Sequence, residues 1–168
     1  MVNTRILSRW PLVRSANPEE MLESLNALYR PSEVRSLRVS SEGSHYELRG
    51  FAGPGFSIGY IRSDMGVSIS GAAQSAYHLN LGLSGELLSA RGDERVRNTA
   101  TRAVVYNPGD RQTLLPTTAP AETLGIRLSR DLVETELAGL LGRDVSAGPR
   151  FDFSLDLTSD DSAGLRFM

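Results

Sequence analysis

Cysteine is absent from the 168 residues, and so is lysine; all 18 basic side chains are arginine. Without cysteine there is no disulfide framework, zinc finger, thiol nucleophile or iron–sulfur site. Without lysine there is no Schiff base and no P-loop lysine. Histidine is scarce as well. Only His45 and His78 are present. A multi-histidine metal centre is excluded, and no cofactor is expected. No run approaches the roughly 20 apolar residues of a membrane-spanning helix. Excess positive charge is also missing: the net charge is −2 and the pI near 5.7, which argues against direct DNA binding by this chain. The first residues hold Arg5, Arg9 and Arg14 and no acid. Pro11 interrupts any targeting helix there, so the segment reads as a short strand and the protein as cytoplasmic.

What is present is ordinary for one globular domain. Apolar residues make up 40% and charged residues 23%, and the length fits a single core. The 16 glycines and 8 prolines promise many turns. Asn17, Pro18 and Glu20 are spaced as a helix start. Met21, Leu22, Leu25, Leu28 and Tyr29 then form one apolar stripe, and Pro31 stops it.

From residue 34 to 128 the period changes to two. Strands are expected at 34–39, 45–52, 56–62, 66–70, 76–83, 86–91, 94–99, 102–106, 111–115 and 122–128. Gly53-Pro54-Gly55, Ser84-Gly85, Gly92-Asp93 and Pro108-Gly109-Asp110 punctuate them. Tyr77, Leu79, Leu81 and Leu83 alternate with His78, Asn80, Gly82 and Ser84. Many short, evenly spaced strands point to a jelly-roll barrel. No strand–helix–strand alternation supports a parallel nucleotide-binding sheet. Helical spacing returns with Ser129 as cap, a Leu132, Val133, Leu137, Leu140 and Leu141 stripe, and Gly142 as stop. Residues 151–157 alternate again and read as a late edge strand or an extended surface segment. Thr158 to Asp161 read as the start of a further helix, broken off at Phe167-Met168.

Catalytic motifs do not fit. The glycines of residues 50–55 lack the following helix of a phosphate loop. Arg91-Gly92-Asp93 reads as a hairpin turn. Neither Ser68 nor Ser84 sits in a Gly-x-Ser-x-Gly elbow. A metal-binding cupin would place a second histidine two residues after His78; this chain has Asn80 there. A lone His78 on the polar side of its strand reads as exposed or hydrogen-bonded, with ligand contact as the other possibility.

Several segments together resemble a known family. They are Asn17-Pro18-Glu19-Glu20, Tyr77 to Gly85, Asn107-Pro108-Gly109, Leu124 to Leu132 and Leu140 to Arg143. In this order they resemble the N-terminal, cupin-like regulatory domain of AraC/XylS-type transcription regulators, over nearly the whole chain. Asn17 stands where that family would have Asp, and it caps equally well. The resemblance implies a mainly β fold, a cupin-like jelly-roll barrel over about 34–128, with a helical portion over about 129–168. It implies a non-enzymatic domain spanning 1–168 that binds a small effector and forms a homodimer. It also implies a helix-turn-helix DNA-binding half that this sequence does not contain.

The family has no fixed effector contacts to carry over. Trp10, Tyr60, Tyr77, His78 and Tyr106 could supply walls and polar groups to a pocket, with Arg62 as a carboxylate partner. Each of these also fits a structural role. Leu132, Val133, Leu137 and Leu140 are the candidate dimer contacts; packing on their own barrel is the alternative. A stand-alone cupin-like isomerase or lyase, or a pure dimerisation module, are the rival functions.

Overall fold

The computed structural model describes residues 6–29, 34–39, 45–64, 67–115, 120–145 and 148–159. The chain runs β1 (Pro11–Ser15), α1 (Pro18–Leu28), β2 (Val34–Val39), β3 (Tyr46–Gly53), β4 (Phe56–Ser63), β5 (Val67–Ala73) and β6 (Ala76–Ser84). It continues through β7 (Leu87–Arg91), β8 (Glu94–Asn98), β9 (Arg102–Tyr106), β10 (Arg111–Leu115), β11 (Ala121–Ser129), α2 (Arg130–Leu141) and β12 (Ser154–Asp156). The helices start as their caps require. Asn17 Oδ1 accepts from the Glu19 N–H at 2.9 Å, ahead of Pro18. Ser129 Oγ accepts from the Leu132 N–H at 3.2 Å, and α2 ends on Gly142 in the left-handed region at φ 63°.

The strands form two antiparallel sheets laid face to face. The larger has seven strands in the order β1-β3-β4-β11-β6-β9-β12, the smaller five in the order β2-β5-β10-β7-β8. No strand among the described residues is hydrogen-bonded into both. The expected closed barrel is therefore corrected to two open sheets. The gap at each side is filled by side chains instead. On one side α1 packs against β1, β2 and β3, wedging Met21, Leu25, Leu28 and Tyr29 between Tyr46 and Leu48 of one sheet and Ile69 and Leu114 of the other. On the opposite side Phe153 packs on Val104 and Tyr106, with Val96 beside them.

The helical portion expected over 129–168 is corrected too. In the described part it holds one helix, α2. Residues 154–156 pair with β9 as an edge strand. Thr158 is in a turn, its N–H and hydroxyl both donating to Asp156 Oδ1. The rest of the expected helix, residues 160–168, lies outside the described residues.

The larger sheet has an unusual division of faces. Ile58, Tyr60, Leu79, Leu81, Leu83, Leu124 and Ile126 share its outer face, covered in part by Ile6, Leu7, Leu155 and Leu157. The alternate positions face the smaller sheet. There Ser57, Arg127 and His78 lie side by side in one row, and Gly59, Gly125 and Asn80 in the next. Ile61 and Thr123 form a third, and Ser63 and Ala121 a fourth. The polar and glycine positions thus line the interior, and many of the leucines lie outside.

Candidate functional site

Between the sheets, beneath α1, lies a mostly enclosed cavity of about 50 Å³. Its walls follow from the face division. The larger sheet contributes Tyr46, Ile61, Ser63, Thr123, His78 and Asn80 from the inward rows. The smaller sheet contributes Ile69, Leu87, Gln112 and Leu114, and α1 roofs the space with Met21, Leu25 and Tyr29.

The roof rests on glycine. Gly50, Gly59 and Gly125 stand side by side across β3, β4 and β11. A Cβ on Gly50 would lie 2.8 Å from Leu28 Cδ2, one on Gly125 2.5 Å from the Tyr29 hydroxyl, and one on Gly59 against that same hydroxyl. The absence of side chains there lets the end of α1 reach the sheet. The Tyr29 hydroxyl donates to the Gly125 carbonyl at 3.2 Å, with the Gly59 carbonyl at 3.5 Å. Burial pushes its pKa up, so it stays protonated.

Tyr29 also packs on His78, ring centroids 5.0 Å apart. His78 is 4% exposed. Burial first, and the Arg127 charge second, pull its pKa down to about 4, against the smaller raising effect of a hydrogen bond with the Asn80 side chain. The imidazole is therefore neutral at pH 7. Arg127 is buried in the neighbouring position of that row, and burial lowers its own pKa. Four lining side chains carry a buried polar atom with no hydrogen-bond partner among the described residues: Tyr46 Oη, His78 Nδ1, Asn80 Nδ2 and Thr123 Oγ1. Five further buried polar atoms away from the lining are likewise without a partner among the described residues, those of Ser57, Ser89, Asn98, Glu122 and Arg127, so the feature is not confined to the cavity.

The structure does not bring the six sequence-predicted pocket residues together. His78 alone lines the cavity. Trp10 is 46% exposed and stacks near Phe51, centroids 4.9 Å apart. Tyr60 is on the outer face beneath the Arg49 guanidinium, 5.1 Å from its ring centre. Arg62 pairs with Asp64 at 3.4 Å and lines a separate polar depression with Arg14, His45 and Glu47. Tyr77 donates to the Pro149 carbonyl at 2.8 Å and meets Phe151 edge-on. Tyr106 does face inward, but its hydroxyl, with a pKa raised to about 12 by burial, donates to the Ala90 and Thr113 carbonyls across the sandwich. The reason is the face division. Most of these aromatic residues sit on the outer, apolar face. Thr123 and Asn80, which line the cavity, are not among the six; in the sequence they stand out as polar residues near glycine on neighbouring strands.

A family model for the AraC-binding-like domain matches residues 28–168. The chain belongs to that family. The family resemblance read from the sequence is thereby borne out, and the chain is a ligand-sensing regulatory domain of the AraC type. It is 32% identical over 137 residues to the probable thc operon regulatory protein of Rhodococcus erythropolis, covering 77% of this chain and 40% of that protein. The chain thus spans well under half the length of this curated relative. Its fold is similar to that of the AraC-like transcriptional activator CuxR, with a TM-score of 0.55 at 17% identity over 81% of this chain and 54% of the other. AerE from Microcystis aeruginosa is similar at a TM-score of 0.50 and 15% identity, over 71% of this chain and 51% of that one. At such identities the likeness is one of fold alone.

A second feature of this AraC-type domain lies outside the cavity. No residue of α2 is buried. Leu140 is 84% exposed and Leu141 half exposed. Leu132, Val133, Leu137 and Leu140 line an open apolar groove with Leu128 and Phe151. The four sequence-predicted dimer residues are thus together on one groove. None of the described helices is long and apolar enough to cross a membrane.

Proposed function

We propose that this domain is the effector-sensing half of a cytoplasmic transcription regulator, that the effector binds in the cavity between the sheets, and that α2 joins two copies. The cavity carries the first part. It is mostly enclosed and largely apolar, with a few polar side chains in its walls, the combination expected of a small-molecule site. Its roof is a helix rather than a hydrogen-bonded strand, so ligand contacts to Met21 and Leu25 bear directly on where α1 rests. A ligand that prefers one placement of α1 shifts the population toward it, and a DNA-binding half in the whole protein reads that shift. The exposed stripe of α2 supports the association surface.

A non-catalytic role fits the family and the chemistry. The lining holds no acid and only a neutral histidine among the described residues. The test uses the full-length regulator and a reporter gene. Thr123→Leu replaces an unpartnered hydroxyl with a larger apolar group inside the cavity. Effector-dependent expression is expected to be lost, with Tm and effector-independent DNA binding retained. A full response in that variant would place the effector elsewhere.

A further inference from the structure

The cavity as it stands is small. About 50 Å³ holds only a few water-sized spheres at roughly 10–15 Å³ each. A larger effector needs more room, and behind one side chain of the roof stands an unmatched charge. We propose that the effector is a small monocarboxylate whose anionic group pairs with Arg127, which it reaches by displacing Tyr29 from the glycine row. This rests on reading the cavity as the sensing site.

Arg127 is 8% exposed and is the one buried arginine among the described residues. Arg49, Arg62, Arg91, Arg97 and Arg130 are each less buried, and each has a carboxylate oxygen within 3.4 Å. Arg127 makes no ion pair and no hydrogen bond with the described residues. Its Nε is sealed off, whereas its two terminal nitrogens keep accessible surface, so a partner can still meet them. A guanidinium taken out of water without a counter-charge is costly, and an incoming anion offsets that cost. His78, the neighbouring basic group in its row, is neutral. One positive charge calls for one negative charge. A carboxylate supplies it and matches the planar fork of the guanidinium.

The path follows from the rows. Thr123, Gly125 and Arg127 succeed one another on the inward side of β11, roughly 7 Å from one to the next. Thr123 lines the cavity, and Tyr29 lies over Gly125. The Tyr29 ring therefore stands between the cavity and Arg127. One strand over, on β6, the cavity already touches the row of Arg127 at His78. Tyr29 is held by a hydrogen bond of 3.2 Å and a second contact of 3.5 Å, both longer than an O–H···O bond prefers. Its phenol is neutral and gives Arg127 no counter-charge. Gly50, Gly59 and Gly125 carry no side chain, so with Tyr29 withdrawn the bay left by its ring opens onto the cavity. Cavity and bay then form one elongated site. Met21, Leu25, Ile69 and Leu114 make one end apolar, and Arg127 makes the other positive. A carboxylate on a short hydrocarbon body has the same polarity. Tyr29 is the C-cap of α1, so its withdrawal also shifts the helix end and ties occupancy to the placement of α1.

The test compares hexanoate, hexanamide and n-hexylamine on the full-length regulator, read by thermal shift and calorimetry at neutral pH. Hexanoate is expected to raise Tm saturably and to bind at least about tenfold tighter than the other two. Arg127→Met should erase that preference. Without ligand this variant should melt no lower than the wild type, because it removes an unmatched buried charge. Arg127→Gln is a second variant for the same comparison. Tyr29→Leu leaves a smaller plug over the glycines and should tighten hexanoate binding. Tightest binding of hexanamide or hexylamine, or a hexanoate preference kept in both Arg127 variants, would overturn the carboxylate. Ligand-free melting of both Arg127 variants well below the wild type would show that the guanidinium already has its partner in the fold. Unchanged hexanoate affinity in Tyr29→Leu would take Tyr29 out of the path, and if none of the three molecules binds the proposal fails. The cavity is judged separately, by the reporter response of Thr123→Leu. A response lost there but kept in Arg127→Met leaves the cavity as the site and ends the pairing with Arg127; a response kept in both ends both.

Discussion

α1 and α2 are nearly equal in length, and both begin on a polar cap followed by an apolar stripe. Their environments are opposite. α1 buries Met21, Leu25 and Leu28 in the gap between two sheets, whereas no residue of α2 is fully buried and Leu132, Val133 and Leu137 are only partly covered. An apolar stripe therefore says that a helix has a partner surface, not where that surface is. For α1 the surface is in the same chain. For α2 it is open, and the same leucines that would anchor a core are available to a second copy. The same substitution on each helix tests this directly. Leu25→Asp puts a carboxylate among Tyr46, Leu48 and Leu114, and is expected to lower stability by more than about 4 kcal/mol, enough to unfold much of the protein. Leu137→Asp should leave the thermal midpoint of unfolding nearly unchanged and convert a dimer to a monomer in sedimentation. Equal loss of stability in the two variants would break the contrast. An unchanged sedimenting species in Leu137→Asp would remove α2 as the interface.

The contrast also predicts a pH dependence confined to the α1 side. His78 titrates near pH 6.5 when unfolded and at about 4 in the fold. Between those values the unfolded chain binds more protons, so stability rises with pH through that window. The contribution is fully present above pH 6.5 and fades as pH falls toward 4. Its full size is on the order of 3 kcal/mol, at about 1.36 kcal/mol per pH unit. Denaturant melts at a series of pH values from 7 down to 5 should show stability falling in the wild type. His78→Gln should flatten that slope. An equally steep slope in the variant would assign the effect to the carboxylates instead. Among the described residues no histidine lines α2's groove, which is apolar apart from Glu136.

Most strand positions were legible because turns have strong local chemistry. Gly55 and Gly92 adopt φ of 77° and 58°, where a side chain is strained, and both hairpins fall where Gly53-Pro54-Gly55 and Gly92-Asp93 put them. Which face looks inward was not legible. Period-two alternation fixes that Tyr77 and His78 point opposite ways, not which of them meets the other sheet. The usual assumption sends the leucines inward. Here the outer face is itself partly covered, by Ile6, Leu7, Leu155 and Leu157, so both faces read as apolar or small. The barrel was not legible for a related reason. Strand count and spacing are the same for a closed barrel and for two open sheets. The difference lies in long-range pairing, in which α1 and Phe153 take the places that hydrogen-bonded strands would fill. The cavity residues were partly legible after the fact. Gly59 and Gly125, on neighbouring strands, leave the space over the sheet that Tyr29 takes, and Thr123, two residues from Gly125, lines the cavity beside it. Such glycines buried between sheets leave room for something else.

That room is narrow enough that one methyl group should disturb it. Gly125→Ala places a Cβ 2.5 Å from the Tyr29 hydroxyl and 3.4 Å from His78 Nε2. The backbone of β11 cannot retreat, because it pairs with β4 on one side and β6 on the other. Tyr29 must move instead, and with it the end of α1. Overpacking of this kind costs about 1–3 kcal/mol. Tyr29→Phe alone removes the hydroxyl and its bond to the Gly125 carbonyl, at a cost of about 1 kcal/mol. In the double variant the colliding oxygen is gone, so the two costs should not add. The pair is expected to be more stable than Gly125→Ala by itself, a coupling readable in a double-mutant cycle of denaturant melts. Additive losses would mean that Tyr29 does not hold α1 against the glycine row. The seat of the roof would then have to lie with Met21 and Leu25 alone.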